Sequence, residues 1–143
     1  MLRNIPPLLT PDVLWTLRAM GHGDELVIGD ANFPATTLGR RCHRLDGSTA
    51  TEVLQAVLTL LPLDTYAPDP AVVMEVVDDP DAVPPVVSEF QSITTTTADT
   101  PITLSRLERF AFYDRAKTSF AILQTGETRL YGNIILKKGV IGT

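Results

Sequence analysis

Short β-branched runs interleaved with amphipathic stretches predict an α/β fold: a single domain over residues 1–143, with a mainly parallel or mixed sheet flanked by helices. Three observations carry this expectation. Thr10-Pro11-Asp12 and Thr49-Ala50-Thr51-Glu52 are helix-start signals, each followed by apolar residues at helical spacing. Ala71-Val72-Val73-Met74-Glu75-Val76-Val77 is a β-branched run of strand length. A chain of 143 residues supplies one proper core and is too short for two domains of ordinary size.

In the first helix Thr10 is the cap, Pro11 takes the first position and Asp12 meets the positive first turn. Val13, Leu14, Leu17 and Met20 line one face, and Gly21 ends it. A short apolar strand, Leu26-Val27-Ile28, then runs to Asp30. The second helix carries Val53, Leu54, Val57, Leu58 and Leu61 until Pro62 stops it. Residues 63–68 read as a loop and 71–77 as a strand. Residues 79–92 are expected to include a helix from near Pro84 and Pro85, and 94–100 a polar connector. The last third reads as a strand over 102–107, a short helix around 113–118, a strand over 120–124, a turn at 125–127 and a strand over 133–136.

A net charge of −5 argues against a generic nucleic-acid binder, because backbone affinity comes from clustered Lys and Arg. Arg40, Arg41 and Arg44 do cluster, and read as a solvated loop face. No apolar run approaches the roughly 20 residues that cross a bilayer, so no membrane partner is expected. Cys42 is alone, which excludes an internal disulfide framework and a multi-cysteine metal site and fits a reducing compartment. Residues 1–7 lack the apolar core of a signal peptide, so the cytoplasm is expected. The phosphate-loop, dinucleotide, nucleophile-elbow and paired-histidine motifs are missing, and neither cofactor nor metal is expected.

The richest segment is Met20-Gly21-His22-Gly23-Asp24-Glu25, followed by the strand and Asp30-Ala31-Asn32-Phe33-Pro34. It sets a histidine in a glycine-hinged loop and a carboxylate at the carboxyl end of a strand, where open α/β sheets bind ligands. Such a pair can transfer protons near neutral pH. On the residues alone, His22 can equally cap the preceding helix, Asp24 turn the loop and Asp30 bind a nearby amide. His43, between Arg41-Cys42 and Arg44, reads as exposed. Asp64 and Tyr66 lie in a proline-bracketed loop that an Asx-turn also explains. Arg109, among aromatics, offers either a fixed fork of donors or a structural ion pair. Tyr131-Gly132-Asn133 offers donors and acceptors beside a close backbone approach, or simply a turn into the last strand.

Taken in order, these segments resemble the RbsD/FucU family of sugar mutarotases and pyranases, and its L-fucose mutarotase branch in particular. The carrying residues are 20–25, 30–34, Leu61-Pro62-Leu63-Asp64-Thr65-Tyr66, the Glu108 to Ala116 run, Thr125-Gly126-Glu127 and the Tyr131 to Gly139 run. The resemblance implies an RbsD-like α/β subunit in a ring-shaped homo-oligomer, a decamer, working on a monosaccharide without cofactor. It also implies a proton donor at His22, with Asp30, Arg109, Tyr131, Gly132 and Asn133 binding the sugar and Asp64 taking part in the fucose branch. The pyranase branch lacks the Arg-Phe-x-Phe-Tyr run and has Tyr-Ala-Asn where this chain has Tyr131-Gly132-Asn133, which favours L-fucose over D-ribose. The expected reaction is anomer exchange by general acid–base ring opening and closure. The alternatives are a D-ribose pyranase or a non-catalytic sugar-binding ring protein. His22 and Asp30 of one subunit are expected to be completed by the terminal segment of a neighbour.

Overall fold

Thr10 Oγ1 accepts the Val13 amide proton and Pro11 takes the first turn, so α1 runs Pro11–Ala19 in the computed structural model, which describes residues 1–142. The chain continues through β1 (Glu25–Gly29), α2 (Ala35–Leu38), β2 (Cys42–Leu45), α3 (Ala50–Leu58) and β3 (Ala71–Met74). It ends with α4 (Pro85–Thr97), β4 (Ser105–Leu107), α5 (Arg109–Lys117), β5 (Ala121–Thr125) and β6 (Ile134–Lys137). The expected capping box is formed at the start of α3, where Thr49 and Glu52 satisfy each other's backbone amides.

The six strands make one mixed sheet in the order β2-β5-β1-β6-β3-β4. β2, β5 and β1 pair in parallel, as do β3 and β4, and β6 runs antiparallel between β1 and β3. The period-2 alternation of a strand decides the layers. Leu26 and Ile28 face one way, into a core with Val13, Leu17, Leu54, Val57 and Phe90, and Val27 faces the other, with Phe33, Phe112, Ala116 and Ile135. Helices therefore cover both faces, and β1, β5 and β6 are buried almost throughout.

Four expectations change. Residues 94–97 belong to α4 rather than to a connector, because each threonine hydroxyl can turn back on its own helix: Thr94 Oγ1 donates to the Phe90 carbonyl and Thr95 Oγ1 to that of Gln91, both at 2.8 Å. Helix α5 begins at Arg109, four residues before the expected start. Its cap is the Glu108 carboxylate, which accepts the Phe110 and Ala111 amides and is not among the usual cap residues. The short α2 and β2 carry no periodic signal and were not expected. His43 is accordingly not on an exposed loop: it lies half-buried in β2, with Nε2 2.8 Å from the Thr16 hydroxyl. The arginines beside it are tethered as well, Arg41 over the Phe120 ring and Arg44 to Gln124.

Candidate active site

Asp30 follows the last residue of β1, at the carboxyl ends of the parallel strands, and its surroundings are assembled from four elements. Its amide donates to Asn133 Oδ1 at 2.9 Å, and its own Oδ1 accepts the Asn32 amide at 2.9 Å. Asn133 stands just before β6, and the antiparallel register that pairs Ile28 with Ile134 brings it there. Burial pushes the Asp30 carboxyl above the usual carboxylate range, against the downward pull of the Asn32 amide, the Asn133 side chain and the Phe33 and Gly132 amides. Above it opens a cleft of about 250 Å³ lined by Asp30, Phe33, Arg109, Tyr113, Tyr131 and Asn133, with Met74, Val77, Leu130 and Asn32 completing the wall.

Arg109 opens α5 and points its guanidinium along that wall. Nε donates to the Tyr113 hydroxyl at 3.4 Å, and the group lies 5.5 Å from the Phe110 and Tyr113 ring centres. The Tyr113 contact raises its already high basicity, so it stays a cation. Tyr131 sits at φ 63, a left-handed conformation that a bulky residue adopts only where the surroundings impose it. Its hydroxyl accepts the Val77 amide at 3.2 Å, tying the start of β6 to the end of β3.

His22 is elsewhere. It lies in the loop before β1, where Gly23 takes φ 84, and its Nε2 is 3.2 Å from Asp64 Oδ1 with the Tyr66 ring 5.9 Å away. Asp24 turns this loop by accepting the Gly21 amide at 2.7 Å. Lys138 secures it: Nζ donates to the Leu17 and Met20 carbonyls at the end of α1, and its main chain pairs with Gly23 and Asp24. Asp64 is nearly buried, and the Tyr66 amide, followed by His22, holds its carboxyl below the usual range. Asp64 therefore makes both the expected Asx-turn and a contact with His22.

The structure brings Asp30, Arg109, Tyr131, Gly132 and Asn133 together, and puts His22 and Asp64 at the opposite end of β1. Five strand residues at about 3.3 Å each separate the two groups. The expected division, with His22 and Asp30 on one subunit and the terminal segment on another, does not hold, because Asn133 is bonded to Asp30 within the chain. Sequence reasoning also missed Phe33 and Tyr113, whose rings pack edge to face at 5.7 Å and close the cleft. The helical offset of four between Arg109 and Tyr113 was the available signal.

The RbsD / FucU transport protein family matches residues 3–141. The chain belongs to this family. It is 48% identical to the human fucose mutarotase over 98% of this chain and 94% of that one. It superposes with TM-score 0.92 and 41% identity on the fucose mutarotase of Streptococcus pneumoniae, solved in complex with L-fucose, covering 99% of this chain and 100% of that one. RbsD of Bacillus subtilis, solved with D-ribose, shares the fold at TM-score 0.76 with 17% identity over 99% of this chain and all of that one.

Proposed function

We propose that the protein is an L-fucose mutarotase, an isomerase that interconverts the α and β anomers by opening and reclosing the pyranose ring. The observation that carries this reading is the sugar-sized cleft around Asp30, in a chain nearly half identical to fucose mutarotases along its whole length. A base takes the proton of the anomeric hydroxyl while an acid protonates the ring oxygen; the bond from C1 to the ring oxygen breaks and C1 becomes an aldehyde. Closure on the other carbonyl face reverses both transfers. Positioned acid–base catalysis contributes about 10²–10⁴-fold, enough for a reaction that proceeds unaided.

Asp30, buried and reluctant to ionise, exchanges a proton with the sugar or holds the hydroxyl that does. Arg109, Tyr131, the Gly132 backbone and Asn133 bind the remaining hydroxyls. His22 is the second proton-transfer group, oriented by Asp64, and the span of β1 keeps it from the cleft of its own chain. A neighbouring copy therefore supplies His22 and Asp64. Head-to-tail contacts supply it around a ring when the rotation closes; the expected assembly is a cytoplasmic decamer. No helix among the described residues is long and apolar enough to cross a membrane.

Saturation-transfer NMR on L-fucose and D-ribose, at catalytic protein concentration, tests the reading directly. Faster exchange of L-fucose is expected. Equal or greater acceleration of D-ribose would make the protein a pyranase, and binding of either sugar without exchange would make it a sugar-binding ring protein.

A further inference from the structure

An ion pair lies beside the turn that carries Gly132 and Tyr131 to the cleft. Glu127, 2% exposed, is gripped through both oxygens by Arg129, Nε to Oε1 and Nη2 to Oε2, each at 2.9 Å, and the Arg129 amide adds a third bond to Oε1 at 3.0 Å. Arg129 Nη1 continues to Glu89 on α4 at 2.7 Å. The Glu127 main chain is stitched to the residue after Asp30, its carbonyl accepting the Ala31 amide at 2.8 Å. Gly132 closes the contact: a Cβ there would lie 2.7 Å from Glu127 Cγ and 3.4 Å from Asp30 Cβ. The Glu127 and Asp30 side chains are thus near neighbours across a glycine that has to be bare.

We infer that Glu127 and Arg129 are positioning residues for the cleft. Locked to each other, they fix the 127–132 turn so that Tyr131 and Asn133 meet Asp30, and they present Asp30 with a compensated pair rather than a lone charge. The inference rests on the proposed proton-transfer role of Asp30. The other charged or titratable groups facing Asp30 are Arg109 and Tyr113 from α5 and Tyr131 from the entry to β6.

Opposed charge effects distinguish positioning from mere scaffolding. Arg129→Gln leaves a buried carboxylate near Asp30, which makes Asp30 harder to ionise and moves the acid limb of kcat/KM to higher pH. Glu127→Gln leaves the guanidinium instead and moves the limb lower. The double variant, neutral again, returns it to its parental position. Each single variant is also expected to lower kcat for L-fucose exchange about tenfold through misplacement of Tyr131 and Asn133.

The experiment measures pH profiles of exchange in the three variants, with ¹³C NMR titration of the Asp30 carboxyl alongside. Limbs that stay put or move together in both single variants would overturn the proposal. Should a single variant not fold, Arg129→Lys decides: it keeps the charge without the fork, so kcat falls while the limb stays, and parental kcat would overturn the proposal. A parent protein inactive on L-fucose would remove the catalytic reading, whereas the NMR titration would still judge the pair.

Discussion

At the Asp30 end of β1 a carboxyl is buried and surrounded by aromatic rings and a guanidinium, and burial raises it against the pull of the Asn32, Phe33 and Gly132 amides and the Asn133 side chain. At the His22 end the Asp64 carboxylate accepts the Tyr66 amide and contacts an exposed imidazole, and it is held below the usual range. The fold thus keeps two carboxyl groups with opposed tendencies, one shifted up by burial and one shifted down by an amide and an imidazole. Environments that drive two acids apart are how a protein assigns a proton-exchanging role to one and an orienting role to the other. The contrast supports the proposed roles, in which Asp30 exchanges a proton and Asp64 orients His22.

Breaking the Asp30 end is expected to have the largest effect. Asp30→Asn should lower L-fucose exchange about 10²–10⁴-fold, the range of positioned acid–base catalysis, in an NMR exchange assay. The same variant should melt slightly higher than the parent at neutral pH. Because the folded-state carboxyl is raised, its ionisation costs the fold stability as pH rises through that value, and asparagine removes the cost while still accepting the Asn32 amide. Calorimetry at falling pH should see the advantage vanish once both states bind the proton.

His22→Ala should cost nearly as much activity with the melting temperature nearly unchanged, since the side chain is 47% exposed and packs little. Mixing it with Asn133→Ala by dissociation and reassembly sharpens the comparison: sites shared between copies regenerate about one intact site in four. Mixed oligomers with only background activity would show that one chain supplies both ends.

Arg109→Lys is expected to raise KM for L-fucose roughly tenfold, because an ammonium cannot reproduce the fork that Tyr113 holds. Parental kinetics would reduce Arg109 to a charge. The smallest effect belongs to the second histidine. His43→Ala removes the partner of the buried Thr16 hydroxyl, which should cost about 1 kcal/mol in denaturant unfolding and leave exchange untouched.

Which parts were legible follows from how each is held. Strand β1, the caps of α1 and α3 and the position of Asp30 were readable because their signals are local. Helix α5 was misplaced because its cap is a glutamate, and the threonines of α4 read as a connector because back-bonding to the preceding turn leaves no periodic trace. The residues around Asp30 were legible through family resemblance. How Asn133 reaches Asp30 was not legible from spacing, because it depends on the register of β6, which pairs residues more than a hundred positions apart in sequence, whereas the separation from His22 is simply the length of β1.

Strand β6 has a further consequence, for how the chain folds. Among the described residues, the trio β2-β5-β1 and the pair β3-β4 are joined by strand pairing only through β6, the last of the described strands. The sheet itself cannot be completed on a ribosome until residues 134–137 have emerged, although the helices already pack the two parts into one core, and the long-range pairing that completes it is the slow kind. The cleft forms in that same step, since Asn133 enters on this strand. A chain stopped shortly before residue 134 should therefore expose two unjoined sheet edges, and quality control would meet it as an aggregation-prone fragment rather than as an inactive enzyme.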